Sequence, residues 1–482
     1  MSVFSIVNFL TKYHMAYVIE FILKYSGLSL ISDRAQKVGI ELQSIRIYAK
    51  NKEQGYVYKQ KETTYTVAKE HSRVVYAINN SLPETSNGYA TRTHYIASAA
   101  YKEGVAIYPV TRVGYPVDIR KLNIKPDELR SHAIDNITYA HLDKEGFRLR
   151  QINTFDYIHN YANMLVDFTI SKKANIIHAA SDYHNGLAAV EAARFLKIPS
   201  VYEVRGFWEI TKASRYTGFK ESEIFEMMKD LETQVCRDAT SVIALSEVIK
   251  DELIERGVNS NKIYVVDNGV DTEVMKPQAK NIELQRELGW ENKFIVGFIG
   301  SVVDYEGLPL LVDAAKNIIQ KSNDRFRYLI VGDGNDLKNL KELTEKNSIE
   351  HLFHFTGRVP FENVGQYYSI LDTACYPRKN WEVCSIVSPK KPFEAMSYGV
   401  PIVSSSVKAN SYFIEHGVNG LVHESENVDS LIDQLLTLEN NINLRIKIKQ
   451  NARDWVLAHR NSKLAGDLLK NIYTETMDQY EK

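Results

Sequence analysis

The sequence has few cysteines, almost no net charge and no long uninterrupted apolar run. Its three cysteines, Cys236, Cys375 and Cys384, form no Cys-x-x-Cys pair, which argues against a disulfide framework and against a thiolate zinc site. The 59 lysines and arginines balance 60 aspartates and glutamates, so the net charge of −1 differs from that of a protein that coats nucleic acid. We therefore predict a cytoplasmic protein with no nucleic-acid partner.

The most apolar part of the N-terminus, residues 3–24, is interrupted by Lys12, His14 and Glu20. Without 18 uncharged apolar residues in a row, this segment is not expected to span a membrane. A secretory signal is not expected either, because no basic stretch precedes the apolar part and no small-residue cleavage site follows it. We predict a helix that packs on the body of the protein or on another subunit, or one that rests on the inner face of a membrane.

Most of the chain alternates short β-branched apolar runs, such as residues 73–79 and 174–180, with helical patterns. This alternation predicts parallel strands in an α/β fold, and a second series begins near residue 292. We predict two Rossmann-like, doubly wound domains facing across a cleft, with an N-terminal helical extension. The expected segments are 1–72 for the extension, 73–272 and 273–455 for the two domains, and 456–482 for a helix that crosses back to the first domain.

Four cations lie between a strand that ends near Tyr376 and a helix predicted to begin at Pro392. They are Arg378, Lys379, Lys390 and Lys391. The N-terminus of a helix repels cations and attracts anions. A bound phosphate would explain this crowding, and the alternative is that the side chains simply point into water. Glu394, in the first turn of the same helix, either accepts hydrogen bonds from a nucleotide ribose or stabilises the helix start.

Glycine-containing loops follow two predicted strands. Gly300, Ser301 and Gly307 lie between a strand and a helix in the second half, where glycine lets the backbone approach a ligand. In the first half, the loop 81–94 around Gly88 either covers a phosphate or an acceptor, or is an ordinary turn. We expect the first loop to contact the donor and the second to contact the acceptor.

Polar residues also follow two buried strands of the first half. His178, Asp182 and His184 form either a site or a set of structural residues. Glu203 and Arg205 follow the next strand and form either an acceptor site or a structural ion network. The sequence contains no G-x-S-x-G elbow, no Walker lysine loop and no H-E-x-x-H motif, and no Asp/His spacing that demands a metal. We predict no bound metal and no cofactor.

Five segments, in order, resemble the family 4 glycosyltransferases, which have the GT-B fold. They are VVDNGVDTEVMKP at 265–277, LIVGDG at 329–334, FTGRVP at 355–360, PFEAMSYGVPIVSS at 392–405 and HGVNGLVHES at 416–425. The resemblance covers about residues 73–475. The segments 80–94 and 201–215 resemble a bacterial branch that builds surface polysaccharides such as capsule or O-antigen.

The resemblance implies a hexosyltransferase that moves a sugar, with retention at the anomeric carbon, from a nucleotide diphosphate sugar to a glycan or lipid-linked acceptor. The donor is expected to be UDP-linked and to bind the second half without a metal, and the acceptor to bind the first half. The alternatives are a nucleotide-sugar 2-epimerase of the same fold, or a non-catalytic scaffold with a degenerate nucleotide fold.

Site residues follow from the resemblance position by position. Glu394 matches the second glutamate of the family's E-x7-E pair, whereas the first falls at Ile386. The family's usual Arg and Lys after the first strand of this domain are absent, and Ser301 and Glu306 stand near those places.

The remaining assignments complete the predicted active site. Lys390 and Arg378 are the candidates for the replaced phosphate contacts. Gly88 matches the family's glycine loop, and either His178 or His184 matches its active-site histidine. Glu203 and Arg205 are the further candidates for acceptor binding.

Overall fold

The computed structural model of the protein describes residues 29–59, 63–66, 71–119, 123–125, 131–145, 147–149, 151–321 and 324–481. The chain forms two compact units, one of Met1–Val266 with Gly466–Lys482 and the other of Asp267–Ala465. The helix predicted at 3–24 lies outside the described residues. Among the helices within these ranges, none is both long and apolar enough to cross a membrane.

The N-terminal unit is built on an eight-stranded sheet with the order β3-β4-β2-β1-β5-β6-β7-β8. The strands are β1 (Arg73–Ile78), β2 (Ala106–Thr111), β3 (His132–Ile134), β4 (Ile137–His141), β5 (Ile176–Ala180), β6 (Ser200–Val204), β7 (Ser241–Ala244) and β8 (Ile263–Val265). All neighbours pair in parallel except β3 and β4. Strands β5 and β6 are buried along their whole length, as expected for parallel strands covered on both faces.

The helices of this unit connect and cover the strands. They are α1 (Ser29–Lys50), α2 (Gly88–Lys102), α3 (Thr154–Ser171), α4 (Tyr183–Leu196), α5 (Trp208–Ala213), α6 (Glu223–Asp238) and α7 (Glu247–Glu255). The last helix of the chain, which we number α16 below, returns to this unit from Gly466 onward. Its Tyr473 bonds to His178, and its Thr476 to Ser241.

The described end of the predicted extension packs on the N-terminal unit. Tyr48, in α1, donates a hydrogen bond to Asp230. Tyr56 Oη donates to Glu191 Oε2 at 2.5 Å, and Tyr58 Oη to Asp238 Oδ2 at 2.7 Å. Residues 48–58 are therefore tied to the body of this unit by tyrosine–carboxylate bonds.

The C-terminal unit contains a six-stranded sheet with the order β11-β10-β9-β12-β13-β14, in which every pair is parallel. The strands are β9 (Phe294–Ile299), β10 (Phe326–Val331), β11 (Phe353–Gly357), β12 (Thr373–Tyr376), β13 (Ile402–Ser405) and β14 (Leu421–His423). Their side chains form the main core of the unit together with the facing helices. This order places β9 beside β12, although β10 and β11 lie between them in the sequence.

The helices of this unit are α8 (Ile282–Glu287), α9 (Leu308–Lys321), α10 (Leu337–Lys346), α11 (Val364–Ser369), α12 (Glu382–Ile386), α13 (Lys391–Ser397), α14 (Val428–Asn440), α15 (Ile442–His459) and the start of α16 (Ser462–Glu481). Helices alternate with parallel strands in both units, so the predicted α/β class is confirmed. The hairpin β3–β4, the edge strand β14 and the short helix α12 were not predicted.

Candidate donor and acceptor sites

The cations predicted to hold a phosphate lie at the carboxyl ends of β9 and β12. Lys391 Nζ is 2.7 Å from Glu306 Oε1, and Arg378 Nε is 4.0 Å from Glu306 Oε2. Arg378 is buried, with 3% of its surface exposed, and its guanidinium donates to the Val387 carbonyl at 3.0 Å. Two of the four cations therefore converge on one buried carboxylate that sequence reasoning had not connected to them.

Glu306 remains ionised among these cations. Burial alone would raise the pKa of Glu306, but the positive charges of Lys391 and Arg378 outweigh burial and hold that pKa below its usual range. Within the described ranges, no hydrogen-bond partner reaches Arg378 Nε or Glu306 Oε2, although both atoms are buried. A fixed charge cluster of this kind holds the loop after β9 against the loop after β12.

Lys390 and Glu394 form a second pair one turn apart, in which the carboxylate is more accessible than that of Glu306. Lys390 Nζ is 3.5 Å from Glu394 Oε1, and the exposed fraction is 15% for the Lys390 side chain and 20% for the Glu394 side chain. Lys390 is the N-cap of α13 and makes no side-chain capping bond, while Pro392 occupies the first turn as predicted. The amine and the carboxylate are therefore available to a ligand, and neither amine at this turn is fully exposed to water.

Two more residues predicted to lie in the donor site, Lys379 and Ser301, differ in their surroundings. Lys379 Nζ lies 4.6 Å from the centre of the Trp381 ring, a cation–π contact. Ser301 is exposed at the carboxyl end of β9. Ile386, which stands where the family has its first glutamate, is a buried apolar residue of α12. This chain therefore has no carboxylate at the position of the first glutamate of the family's E-x7-E pair.

The glycines of the predicted donor loop are required by the backbone. Gly307 has a φ of +72°, and a Cβ there would lie 2.1 Å from the Pro377 carbonyl oxygen. Gly300 has a φ of +141°, and a Cβ there would lie 2.3 Å from Lys391 Cε. A side chain at Gly307 would clash with the backbone after β12, and one at Gly300 would displace the Lys391 side chain.

Sequence reasoning missed the residue that supports the Lys390 turn. Asn268, in the NGVD stretch, is buried, and its Nδ2 donates to the Ser388 carbonyl at 3.0 Å. Arg453 binds the carbonyl of Ser397, at the other end of α13, at 2.6 Å. The stretch 268–271 therefore has a positioning role for the turn that leads into α13.

In the N-terminal unit, Glu203 is the centre of a buried ion network. Its Oε1 accepts from Arg92 Nε at 2.8 Å, and its Oε2 accepts from Arg205 and from Tyr76 Oη, both at 2.8 Å. Burial would raise the pKa of Glu203, but the charges of Arg205 and Arg92 outweigh it and hold the pKa far below its usual range. Arg205 also donates to Thr93 Oγ1 at 2.9 Å and so links β6 to α2.

This burial corrects the prediction that Glu203 and Arg205 contact an acceptor. Glu203 is 0% exposed and Arg205 is 4% exposed, and both have their charges neutralised inside the unit. The geometry is that of the structural ion network, which the sequence had left as the alternative. These residues position α2 and its preceding loop instead of forming a binding surface.

The two candidate histidines lie in different surroundings. His178 is in β5 and fully buried; its Nδ1 is 2.8 Å from Tyr473 Oη, and its Nε2 is 3.8 Å from Glu203 Oε2. His184 is only partly buried, and its Nδ1 is 3.0 Å from Asp182 Oδ1. A fully buried side chain does not reach a substrate, so His184 is the candidate that the geometry retains.

The buried His178 predicts a pH dependence of stability. Burial lowers its pKa to about 4, whereas an unfolded chain has a histidine pKa of 6.5. Between these values the unfolded chain binds more protons, so the free energy of unfolding falls as the pH falls, by about 2 kcal/mol for this residue between pH 7.5 and 5. We expect the difference in melting temperature between wild type and His178→Gln to shrink over that range. Parallel curves would contradict this assignment.

Two further features lie in the loop before α2 and near it. Gly88 begins α2, capped by Asn87, and a Cβ at Gly88 would meet no described atom within 4 Å. Packing therefore does not demand glycine there, and the open space suits a closely approaching ligand. Near the same loop, candidate metal-ligand atoms of Glu84, His132 and His141 lie within 4.8 Å of one another. The three residues are far apart in the sequence, and their spacing did not indicate this cluster.

Two parallel-sheet α/β units with polar loops at the carboxyl ends of their strands are consistent with the GT-B fold. Residues 86–274 match the family model described as Glycosyltransferase Family 4, and residues 280–455 match the one described as Glycosyl transferases group 1. The chain therefore carries both domains of a GT-B glycosyltransferase, and its class is that of the transferases.

Curated relatives and solved structures agree with this class. The chain is 27% identical over 312 residues to a UDP-Gal:alpha-D-GlcNAc-diphosphoundecaprenol alpha-1,3-galactosyltransferase of Escherichia coli, covering 63% of this chain and 76% of the relative. It is 23% identical over 309 residues to the capsular polysaccharide biosynthesis glycosyltransferase CapM of Staphylococcus aureus, covering 61% of this chain and 76% of the relative.

The fold is also that of a solved structure, Anabaena Alr3699/HepE in complex with UDP and glucose. The TM-score is 0.64 at 16% identity, covering 84% of this chain and 100% of that one. Matches to another relative, an uncharacterized glycosyltransferase of Methanocaldococcus jannaschii, span only 63% of its length. At 16% identity the structural likeness establishes the fold alone.

Proposed function

We propose that this protein is a retaining hexosyltransferase that moves a sugar from a UDP-linked donor to a glycan or lipid-linked acceptor in bacterial surface-polysaccharide synthesis. The acceptor would be presented at the inner face of the membrane, where residues 3–24 would make peripheral contact. The donor diphosphate would be neutralised by protein cations and not by a divalent metal.

The observation that carries the proposal is the accessible Lys390–Glu394 pair beside the buried Glu306 cluster. Lys391 and Arg378 already have the buried Glu306 as a counter-charge, whereas Lys390 pairs with the partly exposed Glu394 across 3.5 Å. A lysine amine has three donors, so Lys390 is able to bind a phosphate oxygen while Glu394 turns to a ribose hydroxyl. The pair thus supplies both contacts that a nucleoside diphosphate needs.

The proposed reaction requires little covalent chemistry from the protein. The acceptor hydroxyl attacks the anomeric carbon from the face that the diphosphate leaves. The bond from that carbon to the phosphate oxygen breaks, negative charge grows on the departing phosphate, and this oxygen takes the proton of the attacking hydroxyl. A cation fixed near that charge stabilises the transition state more than the ground state. We assign this role to Lys390, and His184 with Asp182 is the candidate polar group on the acceptor side.

The choice of donor and acceptor is supported by the relatives. The Escherichia coli relative is named for UDP-galactose and for a diphosphoundecaprenol-linked acceptor, and the Staphylococcus aureus relative for capsule synthesis. Anabaena HepE binds UDP and glucose. UDP and a polyprenyl-linked sugar are therefore the first donor and acceptor to test.

The test is incubation of the purified protein with UDP-glucose, UDP-galactose, UDP-N-acetylglucosamine or GDP-mannose, each with and without a polyprenyl-diphosphate-linked sugar. We expect release of UDP that depends on the acceptor, and an anomeric configuration in the product equal to that of the donor by NMR. Isomerisation or hydrolysis of donor without acceptor would indicate the 2-epimerase alternative. No nucleotide release from any donor would favour the scaffold.

A further inference from the structure

Three side chains at the carboxyl edge of the N-terminal sheet form a compact set of metal-ligand atoms. Glu84 follows β1, His132 begins β3 and His141 ends β4. His132 Nδ1 is 3.4 Å from Glu84 Oε1 and 3.4 Å from His141 Nε2, and His141 Nε2 is 4.0 Å from Glu84 Oε1. We call these three residues the His₂Glu triad.

The separations match the coordination sphere of a small divalent cation. Zn²⁺ binds histidine nitrogen and carboxylate oxygen at about 2.0–2.2 Å, so tetrahedral ligands lie about 3.3–3.5 Å apart. Two of the three separations have this value, and the third, 4.0 Å, needs a shift of roughly half an ångström by the Glu84 carboxylate. Two histidines and one glutamate are also a ligand set that zinc sites use.

The outer contacts of the two rings orient them for metal binding. The other ring nitrogen of His132, Nε2, bonds to the Leu82 carbonyl oxygen. A carbonyl oxygen only accepts, so Nε2 carries the proton and Nδ1 presents its lone pair to the triad. His141 Nδ1 is 3.1 Å from Thr111 Oγ1, which fixes that ring as well. Metal-ligating histidines regularly have such a second bond.

The surroundings of the triad suit a held ion more than a solvated ion pair. His141 has 2% of its side chain exposed, and Glu84 and His132 have 16% and 20%. The Tyr139 ring stacks on His132 with centres 5.2 Å apart, and the Tyr115 ring lies 6.0 Å from the His141 ring. This aromatic shell lowers the local dielectric, which strengthens the attraction between a carboxylate and a cation.

We propose that Glu84, His132 and His141 bind one divalent transition-metal ion, with zinc as the best match, and that a water molecule completes the coordination. The ion would fasten the turn after β1 to the β3–β4 hairpin. That turn leads through Asn87 into α2, whose start borders the open space at Gly88. All three ligand residues belong to the N-terminal unit, and none of them is among the residues proposed to bind the donor diphosphate.

The test is metal binding by the full-length protein after removal of any affinity tag and of bound metal by a chelator. We expect Co²⁺ to bind with one equivalent per chain and to give the visible absorption of a four- or five-coordinate ion, and Zn²⁺ to displace it. We also expect Zn²⁺ to raise the melting temperature, since a ligand of the folded state stabilises it. These readouts do not depend on sugar transfer.

Variants locate the ion at the triad. His132→Ala and the isosteric Glu84→Gln should each weaken Co²⁺ affinity on the order of 10–100-fold or more, because even second-shell changes have effects of that size. His71→Ala, at an exposed histidine of the same unit, is the matched control and should bind Co²⁺ as wild type does. Absence of one-equivalent binding in the wild type, or unchanged binding in a folded Glu84→Gln protein, would overturn the proposal.

Discussion

Lys390→Ala is expected to lower the rate of sugar transfer by about 10²–10³-fold while the protein stays folded. Removing one fixed donor aimed at developing negative charge has an effect of this size in enzymes that stabilise oxyanions. The fold should tolerate the change, because the Lys390 side chain makes no capping bond and its pair with Glu394 is partly exposed. Pairs of this kind contribute about 0–1 kcal/mol.

The measurement is kcat with saturating donor and acceptor, together with the melting temperature. Lys408→Ala is the matched control, since Lys408 is an exposed lysine of the same unit. It should leave kcat unchanged. Lys391→Ala gives a contrast, because it leaves Glu306 without its 2.7 Å partner and should lower stability as well as rate. If Lys390→Ala turned over at the wild-type rate, Lys390 would have no place in the donor site.

The central parallel strands of the two sheets were predictable because they are buried on both faces. Strands such as β5 and β9 appear in the sequence as continuous apolar runs bounded by turns, and that pattern needs no knowledge of the neighbours. The elements that were not predicted lack this apolar pattern. Strand β3 has only three residues and is partly exposed, and α12 has five, too few for a helical period.

The site was predictable where its residues are adjacent in the chain and unpredictable where the sheet brings distant residues together. Lys390 and Glu394 share one turn of helix, so their pairing follows from spacing alone. Glu306 meets Lys391 across 85 residues because β9 pairs with β12, and no local pattern contains that pairing.

The same reasoning explains the corrected and missed residues of the N-terminal unit. Arg92 and Glu203 are 111 residues apart, so the sequence could not decide between an ion network and an acceptor site. The His₂Glu triad depends on β3 and β4, two strands that were not predicted. Long-range strand order is thus the information that single-sequence reasoning lacked.

Glu203→Gln is expected to destabilise the N-terminal unit by about 3–5 kcal/mol, the usual effect of removing one partner from a buried ion pair. Glutamine keeps the shape of the side chain but removes the charge that neutralises Arg92 and Arg205. The Arg205 guanidinium would then lie buried without the carboxylate that it meets at 2.8 Å, and Arg92 would lose its own 2.8 Å ion pair with Glu203. Stability, and not a direct contact with acceptor, is the property that this residue controls.

The measurement is unfolding in urea, monitored by hydrogen exchange of peptides from β1, β5 and β6. These peptides report on the N-terminal unit alone. Glu255→Gln, at an exposed glutamate of α7, is the control and should unfold like the wild type. Adding Arg205→Gln to Glu203→Gln should recover part of the loss, because it removes the buried charge of Arg205 that Glu203 no longer neutralises. If Glu203→Gln unfolded at the same urea concentration as the wild type, the network would not be a stabilising element, and an acceptor role for Glu203 would have to be considered again.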